Sequence, residues 1–332
     1  MHPAFAGLVT VVLGVGGCIA YFYFSNQILD RFIFPNKGPN AGRNISRANQ
    51  IRPWLFMFPA IFVLTLYLAY PVVSTFWLSL TDRSQGGAFV GFANYSQMMG
   101  EPKFWEAMRN NMLWLIVVPA LSTAFGLLAA QLTDRISWGN IAKSLIFMPM
   151  AISFVGASVI WKLIYDTRPG GTEQIGVLNA IYAAFGGDPQ TWLTISPWNN
   201  FLLMIVLVWI QTGFAMVILS AALRGIPEET VEAAIIDGAN PFQIFFKIKV
   251  PQIMPTIVVV WTTITLVVLK IFDIVFAMTN GQWQTQVLAN YMYDKMFRAF
   301  DWGVGSASAV VIMILVLPIL VWNVRNVRRE MR

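Results

Sequence analysis

Apolar residues in this chain come in long unbroken stretches rather than in alternation with polar ones. Stretches near 4–24, 53–80, 111–133, 145–165, 201–223, 253–277 and 304–324 each reach the roughly 18 residues that mark a membrane-crossing helix. A transmembrane β-barrel would show short alternating segments instead, so a barrel is excluded. The pattern predicts an all-α membrane protein of about seven transmembrane helices, with the first standing apart from the other six. One polar interruption, at 225–251, carries helix signals rather than loop signals.

That interruption is dense in punctuation. Pro227 suits a first helical position, and Glu228 and Glu229 complement the positive end of the helix dipole. Gly238 can take the left-handed conformation that stops a helix. Asn240 can cap a second helix with Pro241 as its first residue, and Pro251 is expected to end it. A short, stiff helical hairpin between two membrane spans is predicted. Such a shape suits the reception of motion from a soluble partner.

Composition adds the membrane orientation. The chain is 57% hydrophobic and 11% charged, against about 25% charged in a soluble domain. With the hairpin on the cytosolic side, fourteen Lys and Arg fall in 25–52, 134–144, 224–252 and 325–332, and six in 81–110, 166–200 and 278–303. The positive-inside rule favours that orientation, with the N-terminus outside and the C-terminus cytosolic. The net charge of +6 then reflects topology, and the basic tail at 326–332 is expected to meet the lipid bilayer's anionic headgroups rather than nucleic acid. Pro35, Gly38, Pro39, Asn40 and Gly42 mark 26–52 as an irregular basic linker between an accessory helix at 1–25 and a core at 53–325. Met1 to Phe24 lacks the basic start of a cleaved signal peptide, so an uncleaved helix is expected. Cys18 and His2, each the single residue of its type, imply no disulfide framework or metal site, and no cofactor is expected.

Glu232-Ala233-Ala234, then Gly238, then Ile248-Lys249-Val250-Pro251, resembles the EAA loop of permease subunits in binding-protein-dependent ATP-binding-cassette importers. That loop reads Glu-Ala-Ala, three residues, Gly, nine residues, Ile-x-Leu-Pro, and Val250 stands for its leucine. Phe89-Val90-Gly91-Phe92-Ala93-Asn94-Tyr95, Asn110-Asn111, Pro149 to Trp161 and Gly225-Ile226-Pro227 are similar to the carbohydrate branch of these importers. Within that maltose-permease type, the α-glucoside subgroup is the nearest resemblance. Phe272-Asp273 and Thr279-Asn280-Gly281 fall where the branch has Phe-Asp and Thr-Gly-Gly-Gly-Pro, though Asn280, Gln282 and Trp283 depart from the second motif.

The resemblance implies a type I importer core of six helices in the bacterial cytoplasmic membrane, moving an oligosaccharide or α-glucoside by alternating access. It implies a second permease subunit, two ATPase subunits and an extracytoplasmic sugar-binding protein as partners. It also implies that the loop around Glu232, Ala233, Ala234, Asp237 and Gly238 couples the permease to the ATPase, the two alanines being small so that the helix sits deep in a groove. No Gly-x-x-x-x-Gly-Lys-Ser/Thr occurs, so ATP hydrolysis is expected in a separate subunit and the chain itself is not read as an enzyme.

Two groups of residues are candidates for the cargo path. Trp209, Gln211 and Thr212 put an indole face and hydrogen-bonding groups on adjacent turns, which suits a sugar as well as plain helix packing. The resemblance places Trp209 where maltose-type permeases line their sugar site, but Val268 and Ile271 replace the polar partners expected from the next helix. Lys270 and Asp273, three apart, are expected to share a helix face and neutralise each other, either beside the translocation path or as a structural ion pair. The same pair supports a rival reading, an ion-gradient-driven secondary sugar transporter with a proton relay.

Overall fold

A computed structural model describes residues 3–82, 86–134, 136–169 and 171–330; His2 and Arg332 lie outside them. The chain divides into two units, 1–74 and 75–332. In the first, α1 (Pro3–Ile28) runs on through a wider turn at Leu29–Ile33. After a break, α2 (Ala41–Leu64) continues through a similar turn at Thr65–Ala69 into α3 (Tyr70–Ser79), which crosses into the second unit. Only residues 34–40 are irregular, which corrects the linker expected over 26–52. The prolines and glycines act locally: Arg43 to Arg52 contains no breaker, so the helix forms directly after Asn40. Arg52 Nη2 grips both oxygens of Asp30, at 2.7 and 2.8 Å, and Tyr21 Oη donates to the Leu55 carbonyl at 2.9 Å.

In the second unit, β1 (Thr81–Asp82) pairs antiparallel with β2 (Ala88–Phe89), Thr81 opposite Phe89. Helices α4 (Ala93–Gly100) and α5 (Pro102–Thr133) follow. Next come α6 (Gly139–Phe147), a tight turn at Met148–Ala151, α7 (Phe154–Ile164), α8 (Val177–Ala184) and α9 (Trp198–Arg224). The hairpin holds α10 (Glu228–Ile236), α11 (Pro241–Gln243), a wide turn at Ile244–Lys249 and α12 (Val250–Gln252). The chain then passes through α13 (Met254–Leu269), α14 (Asp273–Met278) and α15 (Leu288–Tyr293) to α16 (Trp302–Glu330).

Among the described residues five helices are long and apolar enough to cross a membrane, and two bent pairs raise the number to seven. Both bends fall where one straight span was expected to run or begin. Gly139–Ala151 and Phe154–Ile164 meet at 105°, splitting the stretch 145–165. Pro149 supplies no donor there, and Ser153, extended with ψ 150°, restarts the helix by accepting from the Gly156 N–H at 3.1 Å. Pro241–Gln252 meets Met254–Leu269 at 71°. The sixth span also stops at Leu269, because Lys270, Ile271 and Phe272 leave the helix before α14 begins.

The main core joins α5, α7, α9 and α13 through Trp114, Ala157, Leu207, Met216, Ile264 and Val268. A smaller cluster of Met98, Phe104, Leu288, Tyr291 and Val304 ties α4, α5, α15 and α16. Helices have no hydrophobic drive to associate in lipid, so close backbone approach must supply the packing energy. Glycine makes it possible. A Cβ on Gly126 of α5 would lie 2.4 Å from the Ala215 Cβ of α9, and one on Gly213 would lie 2.6 Å from the Ile146 carbonyl oxygen. The small residues that open α16 act likewise, Gly303 against Asn94 and Gly305 against Met296.

Candidate functional site

The hairpin is built by its punctuation. α10 closes with paired backbone bonds, Ala239 N to Ala234 O at 2.9 Å and Gly238 N to Ile235 O at 3.0 Å. This reversal needs a left-handed residue, which Gly238 supplies at φ +79°. Asn240 then caps α11 reciprocally: its Oδ1 accepts from Gln243 N, and Gln243 Oε1 accepts from Asn240 N, both at 2.9 Å. Two expectations shift. Pro227 is the cap of α10, not its first residue. Pro251 does not end the second arm; it sits inside α12, and the chain turns only at Ile253. The wide turn at Ile244–Lys249 loosens the helix just before the proline and gives its ring room.

Of the residues tied to coupling, Glu232, Ala233, Asp237 and Gly238 are exposed, while Ala234 is buried. The second arm touches α10 through the turn at Ile244–Lys249. Ala234 is therefore small for the hairpin's own packing, and only Ala233 is free to face a groove. Sequence reasoning missed the apolar part of this surface. Ile236 is 85% and Phe242 77% exposed, with Ile235 and Phe246 also open, although each was visible as an apolar residue beside a cap.

A second polar group lies where α9 meets the hairpin. Asp134 Oδ1 accepts from Lys143 Nζ and from Arg224 Nη2 at 2.8 Å, and Ser220 Oγ donates to both carboxylate oxygens at 3.1 and 3.2 Å. Burial alone would raise the Asp134 pKa, but the hydrogen bonds from Lys143, Arg224 and Ser220 outweigh it and hold it below the ordinary carboxylate value. Stabilisation from this group is thus present at neutral pH and is lost only as pH falls through the lowered value.

Within the bundle, Trp209 meets Trp161 edge to face at 5.8 Å. Thr212 Oγ1 donates to the Val208 carbonyl at 2.7 Å, so it is satisfied by its own helix. The Gln211 side chain, 7% exposed, has no hydrogen-bond partner among the described residues. Lys270 and Asp273 do not pair. Lys270 ends α13 and Asp273 starts α14, so the break between them removes the shared helix face. Lys270 instead borders an apolar cleft of about 320 Å³ with Phe272, Tyr293 and Ile312.

At the opposite end from the hairpin, the segment 279–288 is held in a cage of asparagines. Asn110 donates to the carbonyls of Gln284 and Gln286 at 2.9 and 2.8 Å, Asn199 to Trp283 at 2.7 Å and Asn200 to Gln284 at 3.0 Å. Asn111 Oδ1 accepts from the Leu288 N–H at 2.7 Å. These bonds hold Trp283 and Gln284 at positive φ, as Asn280 also is, where the related motif has glycines nearby. The two Asn-Asn pairs at the starts of apolar stretches were the available signal. Asn110→Leu should cost about 1–3 kcal/mol by stranding the buried Gln286 carbonyl, since Asn200 still serves Gln284. Hydrogen exchange should then rise in 279–288 and not in the hairpin.

An apolar helix bundle with a capped polar hairpin at one end has the architecture of a multi-pass membrane protein. Residues 122–332 match the family described as binding-protein-dependent transport system inner membrane component, and the chain belongs to that family. It is 66% identical to the alpha-glucoside transport system permease protein AglF of Rhizobium meliloti (strain 1021), over 99% of each chain. It is 47% identical to the osmoprotective compounds uptake permease protein GgtC of Synechocystis, over 83% of this chain and 99% of that one. In fold it matches a membrane chain of a bacterial alginate ABC transporter, solved with an alginate pentasaccharide-bound periplasmic protein. There the TM-score is 0.72 at 19% identity, covering 88% of this chain and 99% of that one. The protein is therefore a multi-pass inner-membrane permease subunit and not an enzyme, and it works with a separate ATPase and a binding protein.

Proposed function

We propose that this chain is one of two permease subunits of an ATP-driven importer of α-glucosides. Identity of 66% across the whole length to an alpha-glucoside permease carries the substrate class. The hairpin at 225–251 is the coupling element. On it Glu232 offers a polar contact to the ATPase, and Ile235, Ile236 and Phe242 an apolar one. The apolar residues supply most of the docking energy, since an exposed carboxylate contributes little on its own. The hairpin and the C-terminus lie in the cytosol and the N-terminus outside, with 53–325 as the working core and the α1 region as an accessory.

The sugar passes beside Trp209 and Gln211. Gln211 has an amide without a hydrogen-bond partner among the described residues and Trp209, two residues earlier on α9, an aromatic face; together they suit the hydroxyls and the C–H face of a pyranose. Lys270 and Asp273 form no ion pair and the helix breaks between them, so the ion-gradient reading loses the pair it rested on. The complete transporter, reconstituted with its ATPase, second permease and binding protein, should take up radiolabelled maltose, sucrose or trehalose only with ATP. Gln211→Leu keeps the side chain's size and should lower uptake by up to about tenfold, the worth of one hydrogen bond. Uptake untouched by both Gln211→Leu and Trp209→Ala would remove these residues from the path. Uptake that ignored ATP and collapsed with an ionophore would overturn the whole reading.

A further inference from the structure

The cluster around Asp134 ties the end of α5, the middle of α6 and the end of α9 to one carboxylate, at the point where α9 hands over to the hairpin. We propose that Asp134 and Arg224 form a latch through which movement of the hairpin reaches α5 and α6. The proposal rests on reading the hairpin as the coupling element.

Its first support is a fixed half. The side chains of Asp134 and Lys143 are only 19% and 15% exposed, and Lys143 Nζ also donates to Ser220 Oγ at 2.7 Å. The second is a movable half. Arg224, the last residue of α9, has a side chain 61% exposed, so it can leave Asp134 without exposing a buried cation. The third is an alternative seat. Arg224 lines a cleft of about 420 Å³ together with Glu228, Glu232 and Lys249. Among the described residues neither glutamate has an ion pair or hydrogen bond. When docking shifts α10 against α9, these carboxylates compete with Asp134 for the guanidinium. Exchange of that one cation releases the end of α9 from Asp134 while Ser220, one turn earlier, keeps the helix tied to Asp134 and Lys143, which gives the α9–hairpin junction two discrete arrangements of the kind that coupling between sites requires.

The test uses the complete reconstituted transporter and compares sugar taken up, with radiolabelled maltose or sucrose, per ATP hydrolysed. Arg224→Gln should lower that ratio about tenfold while the four kinds of subunit still co-purify. Binding-protein-stimulated hydrolysis should stay within about twofold of wild type. Arg224→Lys, which keeps the cation, should recover most of the ratio. Asp134→Asn should act in the same direction, and combining it with Arg224→Gln should add little, since both remove one contact. An unchanged ratio in Arg224→Gln, fully additive effects, or failure of Arg224→Gln to assemble would each overturn the latch. If Gly238→Val uncouples transport and Arg224→Gln does not, the latch falls alone. If neither does, the hairpin reading falls with it.

Discussion

Leucine at position 126 is expected to abolish accumulation of the folded chain. Helix propensity argues the other way, since replacing a mid-helix glycine gains roughly 1 kcal/mol. The crossing of α5 and α9 decides the outcome. Even the first carbon of a side chain at Gly126 would stand 2.4 Å from the Ala215 Cβ, 2.9 Å from the Met216 nitrogen and 3.0 Å from the Ala215 carbonyl carbon. Two of those three atoms are backbone and cannot rotate away. Relief requires the helices to part along their length, and α5 against α9 is the most extensive helix pairing among the described residues. Overpacking a soluble core costs about 1–3 kcal/mol and sometimes more. Here the surrounding lipid offers no hydrophobic penalty for separation, so loss of contact is harder to resist. Detergent-solubilised chain should fall more than about tenfold in monodisperse yield, a loss of over 1.4 kcal/mol. Gly14→Leu on α1, where nothing lies within 4 Å of an added Cβ, should leave yield near wild type. Equal yields for the two variants would show that the α5–α9 approach is not what holds the bundle.

The contrast between those glycines shows where the sequence could be read and where it could not. Both sit in long apolar stretches, and nothing in the pattern separates the one at a crossing from the one facing open space. The hairpin was legible because its signals are local: Gly238, Asn240 and Pro241 each act on bonds within a few residues, and all three act as expected. Pro149 and Pro251 were harder. A proline can bend a chain, tighten a turn or sit inside a loosened helix, and the outcome depends on neighbours such as Ser153 and the wide turn at Ile244–Lys249. Lys270 and Asp273 were misjudged for a related reason. Their spacing implies a shared face only if the helix continues between them, and it does not. Contacts distant in sequence were invisible. Asn110 meets residues 174 and 176 positions away, and Asp134 meets Arg224 at a separation of 90. Paired polar residues at the ends of apolar stretches marked such sites without naming their partners.

Valine at position 238 should uncouple transport from ATP hydrolysis while leaving the chain folded. Gly238 has open space around an added Cβ, so packing inside this chain is not at issue. Its φ of +79° is the whole of the constraint. An L-residue in that region loses about 1–2 kcal/mol, and a β-branched one sits at the upper end or beyond. The penalty falls on the turn that orders the bonds from Gly238 and Ala239 back to Ile235 and Ala234. Tenfold in population corresponds to about 1.4 kcal/mol, so the hairpin would spend much of its time with α10 unfastened from the second arm. Force from the ATPase would then be absorbed in straightening the turn instead of moving α9 and α13. Sugar uptake should fall about tenfold at nearly constant ATP hydrolysis. Asparagine tolerates the left-handed region, so Gly238→Asn should retain most of the uptake, whereas Gly238→Ala should fall between the two. That order, asparagine above alanine above valine, follows backbone strain and not side-chain volume, because asparagine is larger than alanine and about the size of valine. An order that followed volume would mean that a partner surface crowds the turn, and that the stiffness of the hairpin is not what transmits the work.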